Sequence, residues 1–545
     1  MGSKTYLNQA IASHLVEIRA EEMPDREIFV FERGEHGDEV LTYKTLYEKS
    51  NKLARLLLDN GIGNGDVFAV FMRNYPEFAY GLLAGTTIGA VMVPVDPRSR
   101  GDRLRFLLTN SNAKAVIASG ECLEQIAEVA GDLPNVKFIS IAYQRDQQVP
   151  VSSAFHALNE TLEADSWKVV EQQVMDVRHP MQIIYTSGTT GDPKGVTIRN
   201  NRLGIFNILT KLCWKYDKND CLYNGLSLTH GNAQAVTFFP ALNMGVKAVF
   251  SPRFTKSRIW DICRRYGCTT FSLLGGMMAG IFNEPARPDD ADNPVRMVLS
   301  SGTPVLIWEA FEKRFGVKIL EWYGAVEGGF AFKPPGQGPI GSFGKPVPGV
   351  MEFKVVDEND NAVPPGQPGE LISRMVRGET KVDYLGLPEA SQEKTKGGWL
   401  RSGDIVHKDE KGWYFFDYRK GSGLRRAGDF IQPDHVEAIL GKHPAVSEVC
   451  VYGIPAASGA PGESDLVAAV SPFEGMSIDP ASVYELCNKE MEPNYIPSYL
   501  QIVSEIPKSI SEKALTRVLK DQFSPDQGNV HSHEDYRSRS GEVAK

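Results

Sequence analysis

Through roughly its first 330 residues the chain alternates short apolar, β-branched runs with segments of helical period. The runs DVFAVFM, AVMVPV, AKAVIAS, MQIIYTS, VKAVF, CTTFSLL, VRMVLSS and VKILEWYG have strand length and are apolar nearly throughout. Strands of that kind are buried on both faces. Between them lie helical stretches such as LTYKTLYEKSNKLARLLLDNG, which stops at Asn60-Gly61, and GDRLRFLLTNS. Strands alternating with helices predict βαβ units, so the fold class is α/β: a large N-terminal region of stacked, largely parallel sheets. The uncharged run Phe78 to Val95 touches the length of a membrane span. Its three glycines, two threonines and one proline, followed by DPRSRGD, favour a buried helix and then a buried strand.

The texture changes near Lys333, where KPPGQGPIGSFGKPVPG opens a β-rich subdomain expected over about 333–418. This closes an N-terminal region spanning 1–420. Residues 421–523 read as a small, mobile α+β C-terminal domain, and 524–545 as a polar, disordered tail. A net charge of −9 argues against a mainly electrostatic grip on nucleic acid or anionic membrane. Seven scattered cysteines without a CxxC suggest a reduced, cytoplasmic protein without structural zinc. The N-terminus lacks an apolar core of the signal-peptide type.

One segment points to chemistry: YTSGTTGDPKGV, Tyr185 to Val196. Glycines let backbone N–H groups converge on one point, hydroxyls add donors, and Lys194 adds a compact positive charge. That describes a phosphate cradle. It is not the usual P-loop, which enters a helix. Here Pro193 precedes Lys194 and the next residues read as a strand, so a strand–loop–strand hairpin is expected.

YTSGTTGDPKG resembles the signature loop of the adenylate-forming superfamily: acyl-CoA synthetases, peptide-synthetase adenylation domains and luciferases. The resemblance spans about residues 25–520, with further motifs in the family's order. In style the chain is similar to the crotonobetaine/carnitine–CoA and fatty-acid–CoA ligase branch. The resemblance implies a ligase using ATP, Mg²⁺ and CoA. A carboxylic acid would be activated to acyl-AMP with release of pyrophosphate, and the acyl group then passed to CoA. A homo-oligomer is possible. Loading of a carrier protein and a non-catalytic nucleotide-binding descendant stand as alternatives.

The residue roles follow from the same resemblance. Thr186, Ser187, Gly188, Thr189, Thr190 and Lys194 would cradle the phosphates. Glu327 in WYGAVEGG would be the Mg²⁺ ligand, with Val326 in place of the family threonine. Gly302, Thr303, Pro304, Trp322, Tyr323 and Gly324 would line the adenine site, Asp404 would hold the ribose hydroxyls, and Arg419 would contact ribose and phosphate. Lys513 would bridge carboxylate and α-phosphate, with Lys508 as its rival. Glu512 stands before it where the family often has glycine. His230, Asn232, Gln234, Gly275, Met277 and Trp322 would form the acyl pocket, which shows no obvious buried cation. Lys420, Gly421 and Ser422 would be the hinge. Gly428 would admit the pantetheine arm, with Arg425 and Arg426 as candidate partners of CoA phosphates.

Overall fold

The computed structural model describes residues 7–33, 37–144, 155–186, 193–420, 424–426, 429–431, 433–457, 464–491, 493–509 and 512–540, without the side chains of 425, 429, 430, 539 and 540. The apolar runs form strands and the periodic segments helices. Helix Tyr43–Asp59 begins at Thr42, whose hydroxyl accepts the Thr45 N–H, and ends at Asn60 with Gly61 at φ 73°. The run Phe78 to Val95 divides into helix Pro76–Ile88, a left-handed Gly89 and strand Val91–Val95, all buried. Among the described residues no helix is long and apolar enough to cross a membrane.

Two sheets carry the N-terminal region. The first has seven strands in the spatial order His156–Ala157, Phe138–Ala142, Ala113–Ser119, Val67–Phe71, Val91–Val95, Pro180–Thr186 and Lys194–Arg199. All its pairings are parallel except the last. The second has thirteen strands. Its parallel centre runs Lys318–Tyr323, Met297–Ser301, Thr270–Leu274, Cys221–Asn224, Lys247–Phe250 and Glu27–Phe31. Aromatic side chains pack in the main core. Phe238 is fully buried, stacks on Phe29 at 4.7 Å and meets the ring of Phe78 edge-on at 6.4 Å.

The β-rich subdomain is not set apart at Lys333. Strand Ala331–Lys333 pairs antiparallel with Lys318–Tyr323, and Ser342–Pro346 and Tyr414–Arg419 continue the same sheet. Adding strands to the open edge satisfies that edge's backbone donors and acceptors, which a separate subdomain would leave exposed.

The C-terminal region has its own four-stranded sheet: Val446–Pro455, Ser464–Pro472, Tyr499–Ile502 and Val530–Ser532. Helices Pro433–Leu440 and Pro480–Glu490 contribute Val436, Ile439, Val483 and Tyr484 to its core. The last strand corrects the expectation of a disordered tail. Strand Val530–Ser532 pairs with Tyr499–Ile502, and helix His533–Ser540 follows. Scattered apolar anchors suffice: Val530 is buried, Tyr536 stacks on Tyr484 at 5.4 Å, and the Tyr484 hydroxyl donates to His531 O at 2.7 Å.

Truncating Phe238 empties space that its aromatic neighbours cannot refill. Phe238→Ala is expected to cost about 3–5 kcal/mol, read by chemical denaturation at matched conditions.

Candidate active site

The glycine-rich loop hangs between two antiparallel strands, as expected, with Thr186 opposite Lys194. Ser187, Gly188, Thr189 and Thr190 lie outside the described residues. A segment absent from the sequence reading runs alongside the hairpin. Thr197 N–H donates to Asp383 O and Leu385 N–H to Gly195 O, both at 2.8 Å. This places Tyr384 between two functional groups. Its ring lies 5.3 Å from Lys194 Nζ, and its hydroxyl donates to Glu327 Oε1 at 2.9 Å. Tyr384 therefore couples the phosphate hairpin to the expected metal ligand.

Two more cations attend Glu327. Arg202, which follows the hairpin, donates from Nη2 to Val326 O at 3.2 Å. Burial draws its pKa down and the Glu327 charge opposes that shift. Lys394 donates to Ser402 O at 3.4 Å, and its pKa is likewise lowered by burial against the charges of Glu327 and Asp404. Arg202 is a half-buried cation that the sequence pattern did not single out. It was hidden because a basic residue at a helix start normally faces water. Glu327 offers a hard carboxylate at a point where cations already gather for phosphate. That suits Mg²⁺, which takes one or two carboxylates and completes its shell with phosphate and water.

Asp404 lies at the centre of the site and is 3% exposed. Arg419 faces it across adjacent strands and donates from Nε to Oδ1 at 2.7 Å. Tyr323 donates from its hydroxyl to Oδ2 at 2.5 Å. The Tyr323 ring stacks on Phe343 at 4.6 Å, so the aromatic face and the carboxylate are fixed together. Each carboxylate oxygen keeps a further lone pair for a sugar hydroxyl.

Lys513 belongs to a C-terminal turn that Arg98 of the N-terminal region contacts at Ser509 O, and the charges of Arg419 and Asp404 act on it. Burial lowers its pKa and the Arg419 charge lowers it further, while Asp404 and Asp434 raise it. Its rival Lys508 is engaged elsewhere, in an ion pair with Glu448. At the hinge, Lys420 N–H donates to Gly403 O at 2.7 Å. Gly421, Ser422 and Gly428 lie outside the described residues.

The adenine-side turn is built on a buried glutamate that the sequence reading missed. Glu321 Oε1 accepts the N–H of Gly302 at 2.6 Å and of Thr303 at 3.3 Å. Its Oε2 contacts the Thr303 hydroxyl at 2.5 Å. Burial pushes the carboxyl up to about 7. A carboxylate between the buried Leu320 and Trp322 of strand Lys318–Tyr323 was the available signal. Gly302 has φ 78°, and Pro304 follows it before helix Trp308–Phe315. Gly275 packs so closely here that a Cβ would sit 1.8 Å from Gly302 O. Gly324 is similarly confined, with Phe330 and Trp322 within 3 Å of where its Cβ would be.

The expected acyl-pocket residues divide into two groups. His230 Nδ1 accepts the Asn232 N–H at 3.2 Å, and burial brings the imidazole down to about 4. Asn232 Oδ1 accepts the Ser272 hydroxyl at 2.7 Å. Met277 is buried, as is Trp322, which lies edge-on to Trp214 at 6.3 Å. Val326 closes against Gly231, so the residue replacing the family threonine adds apolar surface beside His230. Gln234, by contrast, is fully occupied within the core. Its amide exchanges hydrogen bonds with Gln182 at 2.6 and 3.2 Å and donates to Leu228 O at 2.8 Å.

Arg426 is also committed elsewhere. It donates to the backbone carbonyls of Ile496 and Asn494, and burial lowers its pKa. A guanidinium tied into its own domain is not the free phosphate partner expected. Arg425 has only its backbone described, in strand Leu424–Arg426.

This fold, with an antiparallel hairpin around the glycine-rich string, Glu327 among cations and Asp404 paired with Arg419, is that of an adenylate-forming enzyme. The chain belongs to the AMP-binding enzyme family, whose model matches residues 16–379, and the AMP-binding enzyme C-terminal domain matches 435–513. Crotonobetaine/carnitine–CoA ligase of Salmonella paratyphi B is 26% identical over 502 residues, covering 91% of this chain and 96% of the relative. The anthranilate CoA ligase AuaEII, solved with anthranoyl-AMP, shares the fold with TM-score 0.81 at 21% identity, covering 94% of this chain and 96% of that one. A benzoate CoA ligase from Burkholderia xenovorans follows with TM-score 0.79 at 22% identity, covering 93% and 99%.

Two outcomes follow from the packing and the charges. Gly275→Ala is expected to displace the Gly302 turn and raise the KM for ATP at least about tenfold, because backbone cannot yield as a side chain does. His230 is expected to stay neutral in the folded protein down to about pH 4. Since its folded pKa lies below the unfolded one, its contribution to stability is present above about pH 6.5 and lost as pH falls toward 4. Proton NMR titration of the His230 ring, with unfolding midpoints over that range compared to His230→Gln, checks this.

Proposed function

We propose that this chain is an AMP-forming acid–CoA ligase. In the first step a carboxylate oxygen bonds to the α-phosphorus of ATP, and the bond to pyrophosphate breaks. In the second, the CoA sulfur bonds to the acyl carbon, the thiol proton departs, and the carbon–oxygen bond to AMP breaks. The observation that carries the reading is the pairing of Asp404 with Arg419 and Tyr323 in a chain that also holds Tyr384 between Lys194 and Glu327.

The chain's own groups divide the work. Asp404 and the Tyr323–Phe343 stack hold the nucleoside, while Thr186, Lys194 and Arg202 face phosphate charge. Glu327, oriented by Tyr384, would hold Mg²⁺, which when bound neutralises phosphate charge. Lys513 would place an ammonium where negative charge grows on the α-phosphate and the acid. Thiol transfer requires that lysine to leave, which the separate C-terminal core permits.

The acid site favours a compact acid over a long alkyl chain. Trp214 and Trp322 meet edge-on, and His230 and Asn232 would offer polar atoms beside them. Acids of the kind named for the relatives, such as carnitine, anthranilate and benzoate, are of that size.

The test is acid-dependent ATP–pyrophosphate exchange over a carboxylate panel, with AMP release measured with and without CoA. Exchange with one acid class and CoA-dependent AMP release are expected; exchange without any CoA dependence would point to another acceptor. Lys513→Ala is expected to cut exchange at least about 100-fold while sparing thioester formation from supplied acyl-AMP.

A further inference from the structure

The residue before Lys513 is strained. Glu512 has φ 56°, in the left-handed region that a residue with a side chain adopts at a cost. Its carboxylate is held from two sides. Arg98 Nη1 lies 3.6 Å from Oε1, and Lys508 Nζ lies 3.9 Å from Oε2. Arg98 also donates from Nη2 to Ser509 O at 2.8 Å. Ser509 and Lys513 close one tight turn: Ser509 N–H donates to Lys513 O at 2.7 Å, and Lys513 N–H donates to the Ser509 hydroxyl at 3.2 Å. One guanidinium from the N-terminal region thus touches both ends of the turn that carries Lys513.

Arg98 is itself aimed. Asp96, 2% exposed at the end of strand Val91–Val95, accepts the Arg98 N–H at 2.7 Å and its Nε at 3.2 Å. The strand fixes Asp96, Asp96 orients Arg98, and Arg98 meets a turn that lies more than 400 residues further along the chain.

We propose that Arg98 and Glu512 form a latch that holds the C-terminal domain with Lys513 over the α-phosphate site, and that the latch must open for thiol transfer. This rests on the reading of Lys513 as the adenylation lysine. Arg98 and Glu512 are positioning residues, acting only through Lys513. A planar fork can serve the carbonyl and the carboxylate at once. The carboxylate that recruits it also accounts for a non-glycine residue at a left-handed position. The latch biases one of two domain orientations, so its loss slows the half-reaction that needs the closed form and spares the other.

The test compares Arg98→Ala, Glu512→Gln and the double variant in the full chain. Arg98→Ala is expected to lower kcat for acid-dependent ATP–pyrophosphate exchange about tenfold with little change in KM for ATP. Thioester formation from supplied acyl-AMP should hold or rise. The double variant should lose little more than Arg98→Ala alone, because the two residues act as one unit. Arg98→Lys should recover part of the exchange. Equal losses in both half-reactions, no loss of exchange, or additive losses would overturn the latch. A readout independent of activity uses two fluorescent labels, one on each domain. Arg98→Ala should widen the distance distribution between them. If the wild type shows no exchange with any acid, the functional reading fails, and this distance alone decides the latch: widening supports it and an unchanged distribution refutes it.

Discussion

Asp404 gathers the site around itself. It is a nearly buried carboxylate, paired on one oxygen with Arg419 and on the other with the hydroxyl of Tyr323. A charge in that setting is tolerable only with both partners in place. Those partners come from different strands of one sheet, so the pairing ties the antiparallel extension to the parallel centre. The charge of the same carboxylate acts on Lys513 of the other domain.

The site is otherwise built from contacts that tolerate little change. Gly275 lets two backbones touch, Glu321 gathers the donors of the Gly302–Thr303 turn, and Tyr384 spans the hairpin and Glu327. None of these residues needs to touch a reacting atom. Each fixes a group that would, and fixed donors stabilise developing charge without the cost of reorganising at the moment of reaction.

The boundary between the two regions is polar and sparse by comparison with their cores. Arg98 reaches Ser509 and Glu512, and Lys256 donates to Ser447 at 3.2 Å. Contacts of this kind between separately packed cores can be exchanged for water at small net change. The strain at Glu512 fits the same logic, since a strained residue is retained where its surroundings hold it.

The sequence by itself determined the layered α/β plan, because buried parallel strands and their covering helices have different apolar periods. It also showed the hairpin around the glycine-rich string, because strand, turn and strand are local signals, and the family resemblance singled out Glu327, Asp404 and Lys513 as candidates. What depended on tertiary structure was every relation between distant strings. Tyr384 stands beside Lys194 only because two segments pair in space. Arg202 and Glu321 became site residues through burial that no local pattern announces. Gln234 and Arg426 looked available but found partners inside the fold. The polar tail formed a strand because an open sheet edge and two tyrosines were there to receive it. Chain pattern encodes periodicity and local turns; hydrogen-bond partners, close backbone approaches and domain contacts are decided by packing, where residues hundreds of positions apart become neighbours.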